Sequence, residues 1–322
     1  MPFRAHRPIM LGIVGDSGAG KSTLSDGVVG VLGADRVTDI CLDDYHAYDR
    51  TERQARHVTA LHPTCNHLDL MAQHMRLLRA GDRVFKPVYD HTDGTFAKPE
   101  IVAPKSLVVA HGLHGLFTRG LRSLWDVSVY LDPDPDLRVA WKIKRDTWKR
   151  GYTLERVEEQ LRHRAADSQR FIAPQREKAD IVISFYPPGG YATNPDDSKL
   201  NVCITLRHPI PLPDLEDVLA AAGARCEEGF IRFERGERGV DVLQINGSIP
   251  DPVTVTIEER MWDHMPTARH LRADGLGTFI ELGERKRSNS LLVTQLVLTY
   301  YLVKAAALAV KQEELAAALG EP

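Results

Sequence analysis

Short apolar runs recur along the first half of the chain, each closed by a glycine or an acidic turn and most followed by a stretch with helical spacing. Residues 9–14 form such a run, ended by Gly15, and residues 21–32 are compatible with a helix, so the chain opens as strand, turn and helix. Residues 37–42 predict a second strand, stopped by Asp43 and Asp44. Residues 68–78 carry apolar positions at helical spacing, and 83–89 predict a strand running into a turn at Asp93-Gly94. Further buried strands are predicted at 107–110, 127–131 and 181–185, with two helices, 137–148 and 154–166, separated by Gly151. Strands that are apolar throughout and alternate with helices imply parallel pairing under crossover helices. Ligands of such a wound sheet lie beyond the carboxyl ends of its strands.

The strongest break is Pro187-Pro188-Gly189-Gly190 with Asn194-Pro195-Asp196-Asp197, a turn-rich stretch that sets an expected boundary between 1–190 and 191–322. Beyond it, 201–207, 229–233, 240–245 and 253–257 predict strands, and 214–222 and 291–311 predict helices. This second part contains no motif legible as chemistry; sheet extension, oligomer contact and support for a lid are the roles open to it. Residues 291–310 are the most hydrophobic segment, but Thr294, Gln295, Thr299 and Lys304 interrupt it, which predicts a buried helix rather than a membrane span.

Composition narrows the class. With 43% apolar and 26% charged residues among 322, disorder and low complexity are excluded. A formal charge of −3 removes any general case for nucleic acid or an anionic membrane as partner. Cys41, Cys65, Cys203 and Cys226 form no C-x-x-C pair and no metal-finger spacing, and the basic first residues lack the apolar stretch of a signal peptide, so a cytoplasmic protein is expected.

The sharpest chemical signal is Gly15-Asp16-Ser17-Gly18-Ala19-Gly20-Lys21-Ser22, followed by Thr23, which satisfies G-x-x-x-x-G-K-[ST] between a predicted strand and helix. In such a loop successive backbone N–H groups face phosphate oxygens, the helix N-terminus adds positive potential, the lysine reaches the terminal phosphates and the serine hydroxyl serves Mg²⁺. No Asn-Lys-x-Asp segment is present to read guanine, which favours a small-molecule kinase over a GTPase. Asp43, at the carboxyl end of the second strand, is placed to act as general base, with a helix N-cap as the bland alternative. His46, Arg50, Arg53, Arg56 and His57 form a cationic stripe suited to an anionic sugar phosphate, although Arg53 and Arg56 fit a solvated face as well. Lys142, Lys144, Arg145, Lys149 and Arg150 crowd ahead of Gly151, a hinge for a closing lid, with a solvated face again open for Lys144 and Lys149.

Together these blocks resemble the phosphoribulokinase family, the Calvin-cycle kinases that phosphorylate ribulose 5-phosphate at O1 with MgATP. The resemblance is carried by residues 15–23 (GDSGAGKST), 40–50 (ICLDDYHAYDR), 86–91 (KPVYDH), 141–146 (WKIKRD) and 150–153 (RGYT). It continues weakly through 171–175 and 292–300, and is nearest the longer cyanobacterial and actinobacterial forms. It implies a P-loop kinase-like α/β fold, a wound, mostly parallel sheet flanked by helices and extended by C-terminal strands into a mixed sheet. By the same resemblance Asp43 is the catalytic base, supported by Lys21, Asp146 and Arg150. Residues 15–23 bind nucleotide, His46, Arg50, Tyr89, His91, Lys142 and Arg145 surround the sugar phosphate, and Ser22 and Asp146 serve the metal. ATP, ribulose 5-phosphate and Mg²⁺ are the implied partners, in a homodimer without nucleic acid or membrane.

Two positions depart from the family. His111, in Ala110-His111-Gly112-Leu113-His114, stands where the family carries a glutamate at the end of the third strand; it can serve a metal only through water, or be a satisfied residue at a strand end. Ala19 replaces the loop cysteine of light-regulated members, so their redox pair with the position of Cys41 is absent. A kinase of another pentulose phosphate or a nucleoside, and a catalytically weak nucleotide-binding regulator, are the alternatives.

Overall fold

The computed structural model describes residues 7–190, 196–207, 217–218, 229–236, 239–271 and 275–319. In chain order the elements are β1 (Ile9–Gly15), α1 (Lys21–Leu32), β2 (Val37–Cys41), α2 (Arg50–Ala55), α3 (Leu68–Arg79), β3 (Val84–Asp90), β4 (Thr95–Val102) and β5 (Leu107–Gly112). There follow α4 (Arg119–Arg122), β6 (Val127–Leu131), α5 (Pro135–Arg150), α6 (Leu154–Asp167), β7 (Ile181–Tyr186), β8 (Asn201–Arg207), β9 (Ile231–Glu234) and β10 (Val240–Ile245). The chain closes with α7 (Asp251–Asp263), β11 (Thr278–Glu281), β12 (Glu284–Arg287) and α8 (Asn289–Leu319).

Eight strands form one sheet in the order β2-β5-β1-β6-β7-β8-β10-β9. The first five run parallel, and β8, β10 and β9 continue antiparallel, giving the mixed, helix-flanked α/β sheet expected from the sequence. Every residue of β1 is buried because the central strand is covered on both faces. Ile9, Leu11 and Ile13 join α1 and α8 in one core layer, while Met10 and Val14 join Leu42, Met71, Met75 and Trp125 in the other. The sheet runs through the turn-rich stretch near residue 190, since β7 pairs with β8 from Ile181↔Leu206 to Tyr186↔Asn201.

α8 is long and apolar enough to cross a membrane, yet 83% of its most hydrophobic window is buried inside the protein, which makes it a core helix. Thr294, Gln295 and Thr299, which break its hydropathy, are themselves fully buried; the two threonines donate to backbone carbonyls four residues back.

Residues 253–257, expected as a strand, lie inside α7. Their alternation of Val, Thr and Ile mimics a strand, but Pro252 suits a helix start, and Thr254, Ile257, Met261 and Trp262 fall on one buried helical face. Tertiary burial overrides β propensity here. Two hairpins were not anticipated as such: β3 with β4, and β11 with β12. β4 is solvent-exposed along almost its whole length and so shows no apolar alternation to detect. Most of the expected helix at 214–222 and Cys226 lie outside the described residues.

Candidate active site

The carboxyl ends of β1, β2 and β5 meet at one edge of the sheet and open into a cavity of about 1620 Å³. Pockets for a single small ligand run to roughly 1,000 Å³, so this one has room for two. Ser17 to Thr23 line its middle. Gly18 adopts φ 86°, and a Cβ there would stand 2.8 Å from Cβ of Lys142, so only glycine lets α5 approach the loop. Lys21 folds its ammonium onto the loop, donating to the carbonyls of Gly15 and Asp16 at 2.9 Å each. Burial lowers its pKa, with Asp43 and Asp16 acting in the opposite direction.

Gly15 and Asp16 shape the loop without lining the cavity. The Asp16 carboxylate accepts from the Ser17 N–H at 2.6 Å and from the Ser168 hydroxyl at 2.5 Å, and pairs with Arg138 at 3.2 Å. Ala19 is buried against the core, with Gly20, Lys21, Ser22 and Thr23 following it along the cavity wall.

Asp43 stands at the first turn after β2. Its Oδ1 accepts the N–H of Leu113 at 3.0 Å, and Gly112 gives it space, since a Cβ there would come within 2.9 Å of the same oxygen. Burial pushes the Asp43 carboxyl up, but Lys21 first and then His46, His91 and His111 outweigh that, leaving it below the usual range. It is therefore a permanent anion at neutral pH.

Around Asp43 lies a second group of expected residues. His46 is buried, bonds Asn66 through Nδ1 at 2.9 Å, and is pushed by burial down to about 4, so its ring is neutral at pH 7. Tyr89 sits edge-on to His46 at 4.8 Å and to His91 at 5.0 Å between ring centroids, and accepts from Arg53 at 2.5 Å. Burial also lowers the pKa of His91. Arg50 donates to the carbonyl of His91 at 2.9 Å and lines the cavity with both. Arg53 is buried, hence no solvated face, whereas Arg56 is exposed and lies over the ring of Tyr48 at 4.4 Å.

Asp44 went unassigned in the sequence, yet it fastens this region: one oxygen receives Lys86 Nζ at 2.5 Å and the other the N–H of Tyr89 at 3.0 Å. The sequence reading chose Asp43 of the acidic pair, and Asp43 is the one that lines the cavity; the anchoring role of Asp44 was not anticipated. Arg164 is among the cations at the cavity that the sequence reading passed over.

Two expected residues are placed elsewhere. Lys142 and Asp146 are wholly buried and do not line the cavity. The Asp146 carboxylate lies 2.6 Å from Lys142 Nζ, 2.8 Å from Arg145 Nε and 3.4 Å from Arg150. Burial opposes its ionisation, but Arg145 and then Lys142 hold it at about 2, while burial lowers Lys142 to about 8 against the pull of Asp146. Here the Asp146 carboxylate is engaged by three cations and the Lys142 ammonium is turned onto it, so neither is presented to the cavity, whereas Arg145 and Arg150 line it.

His111 lines the cavity and points Nε2 at Asp39, 3.5 Å away, whose other oxygen accepts from the Ser25 hydroxyl at 2.7 Å. Among the described residues no three histidines, cysteines or acids cluster as a metal site. Groups fit for Mg²⁺ are the Ser22 hydroxyl, exposed at the start of α1, and the ionised Asp43 beyond it, both hard oxygen donors.

The profile of the Phosphoribulokinase / Uridine kinase family matches residues 10–189, more than half of the chain. A phosphoribulokinase of Synechocystis sp. is 41% identical over 187 residues, 58% of this chain and 56% of that protein. The chloroplastic phosphoribulokinase of Arabidopsis thaliana is 38% identical over 212 residues, 61% of this chain and 53% of its own length. The matched part thus spans about half the length of these curated relatives. Among solved structures, phosphoribulokinase from Rhodobacter spheroides superposes with a TM-score of 0.58 at 18% identity, covering 82% of this chain and 99% of that one, a likeness of fold. Phosphate loop, acidic turn and cationic helix all fall inside the matched segment, and the chain belongs to the phosphoribulokinase/uridine kinase family.

Proposed function

We propose that this chain transfers the terminal phosphoryl group of MgATP to O1 of ribulose 5-phosphate, as the phosphoribulokinases it resembles are named for doing. The observation that carries this reading is the lining of the cavity, which an ionised Asp43 shares with Arg50, Arg53, Arg145, Arg150 and Arg164. That excess of cations around Asp43 suits an acceptor that is itself an anion. A neutral nucleoside, the other acceptor suggested by the family's name, offers this excess of positive charge no anion.

In this mechanism the backbone N–H groups of residues 18–22 and Lys21 hold the nucleotide phosphates, and Arg145 and Arg150 answer the charge that spreads over the moving phosphoryl group. Asp43 accepts the hydrogen bond of the attacking hydroxyl, orients it and takes its proton as the bond to phosphorus forms. Lys21 is the strongest of the charges holding Asp43 ionised, so drawing the ammonium onto phosphate makes Asp43 more basic as the acceptor needs it. His46 and His91, kept neutral by burial, can hydrogen-bond sugar hydroxyls without competing for the phosphate. Mg²⁺, held by Ser22 and through water by Asp43, would neutralise charge on the terminal phosphates.

The same reading takes residues 1–190 as the kinase core and 191–322 as an α+β extension on it, in a cytoplasmic homodimer. The test is ADP release by the purified chain with ribulose 5-phosphate, with uridine and with ATP alone. Release only with ribulose 5-phosphate is expected; equal release with uridine would move the acceptor to a nucleoside, and none above background would leave a nucleotide-binding regulator.

A further inference from the structure

The cavity does not end at the phosphate loop. It reaches toward β7 and β8, across β1 from the strand that leads to Asp43, and its lining also includes Trp141, Phe185, Leu200, Phe279 and Leu291. Trp141 borders the loop itself: a Cβ on Gly20 would stand 3.6 Å from its ring. Its indole is fixed, with Nε1 donating to Asp197 at 2.9 Å and the ring edge-on to Phe185 at 6.1 Å between centroids. The facing wall is fixed as well, because Lys144 of α5 bonds both Asp197 and Glu281, which ties β11 to the helix that carries Trp141. The arginines thus gather around the acceptor end, while the other presents aromatic and apolar side chains beside the Lys144–Asp197 and Lys144–Glu281 ion pairs.

A nucleotide lying in the loop with its last phosphate toward Asp43 must send its base the opposite way. We propose that the base is received in this part of the cavity and that Phe279, with Leu200 and Leu291, supplies the wall facing Trp141 and Phe185. Three of these five residues lie beyond position 189, outside the segment that matches the family, so the C-terminal part becomes a constituent of the nucleotide site. A planar heterocycle is the chemistry that two opposed apolar walls recognise, and stacking on aromatic side chains contributes a measurable share of base affinity. The proposal rests on the kinase reading above, since it takes the loop as the seat of the phosphates.

Calorimetric titration of the full-length chain in the presence of Mg²⁺ separates base from phosphate, with ADP and inorganic tripolyphosphate as the two ligands. ADP should bind the unaltered chain more tightly than tripolyphosphate. Phe279→Ala should weaken ADP about tenfold and tripolyphosphate less than twofold, and Phe279→Leu should fall between for ADP, a comparison that survives if the alanine variant does not fold. An unchanged ADP affinity in the variants, an equal loss for both ligands, or no preference for ADP in the unaltered chain would overturn the proposal and leave the phosphate loop untouched. An unaltered chain that binds neither ligand would overturn the kinase reading itself.

Discussion

Replacing Asp146 by Asn removes one charge from the centre of a buried cluster and nearly nothing from its shape. The carboxyl is held near 2 against an ordinary value of 3.8, which corresponds to about 2 kcal/mol of stability. Because its folded pKa is depressed, that stability is present above the unfolded value and is lost as pH falls toward 2. Lys142 works the other way. Burial brings it from 10.5 to about 8, so keeping it charged costs roughly 3 kcal/mol at neutral pH, relieved only as pH rises from 8 past 10.5. The desolvation of Lys142 opposes what its partners give Asp146, and a buried ion cluster is weak evidence for stability, which points to one that places Arg145 and Arg150. Taking away only the carboxylate leaves the cations unanswered, and breaking a buried pair costs about 3 to 5 kcal/mol. At about 2 to 4 °C per kcal/mol for a chain of this class, Asp146→Asn should lower Tm by roughly 6 to 20 °C. Turnover should fall, while the Mg²⁺ concentration for half-maximal rate shifts less than about twofold. Adding Lys142→Met should restore much of the stability but not the rate, a coupling read from the double-mutant cycle. An unchanged Tm with a Mg²⁺ requirement raised tenfold or more would show that the carboxylate reaches the metal and that the buried cluster has been misread.

Asp43→Asn should reduce kcat by about 10² to 10⁴ with ADP affinity nearly intact, since only activation of the acceptor hydroxyl is lost; steady-state rates and calorimetry on one preparation check both halves. Arg50→Ala should raise KM for ribulose 5-phosphate by about ten- to a hundredfold and that for ATP far less, in line with a charge-assisted contact of about 1.5 to 3 kcal/mol; equal effects would place Arg50 outside the acceptor end. Acid should destabilise the fold through His46 and His114, both buried and both pushed to about 4. Their folded pKa lies below the unfolded one, so unfolding takes up protons and stability drops as pH falls from about 6.5 to 4. His46→Gln should flatten part of that slope in thermal melts recorded across the range.

The parallel half of the sheet was legible because its strands are buried on both faces and read as continuous apolar runs, with glycine or acidic turns marking their ends. The phosphate loop was legible for the same local reason, since its geometry is written in consecutive residues. Position in space was less accessible. The stripe Lys142, Lys144, Arg145, Lys149 and Arg150 shows five cations on one helix, but only the packing of Gly18 against Lys142 shows that this lysine faces inward. Lys144, open to a solvated reading in the sequence, bridges Asp197 and Glu281, 53 and 137 residues further along the chain, a partnership no local pattern announces.

The C-terminal part was least legible, for two distinct reasons. At 253–257 local propensity and tertiary burial conflict: β-branched residues suggest a strand, and the spacing of Thr254, Ile257 and Met261 makes a helix once α8 is there to cover them. In the β11–β12 hairpin the pattern is weak because Ile280 and Leu282 are exposed while Glu281 and its lysines are engaged, an inversion of the usual order of burial. Such inversions mark surfaces shaped by something besides the core. Here the hairpin borders the cavity through Phe279, Ile280 and Glu281, so the segment in which sequence reasoning found no chemistry supplies part of the cavity wall.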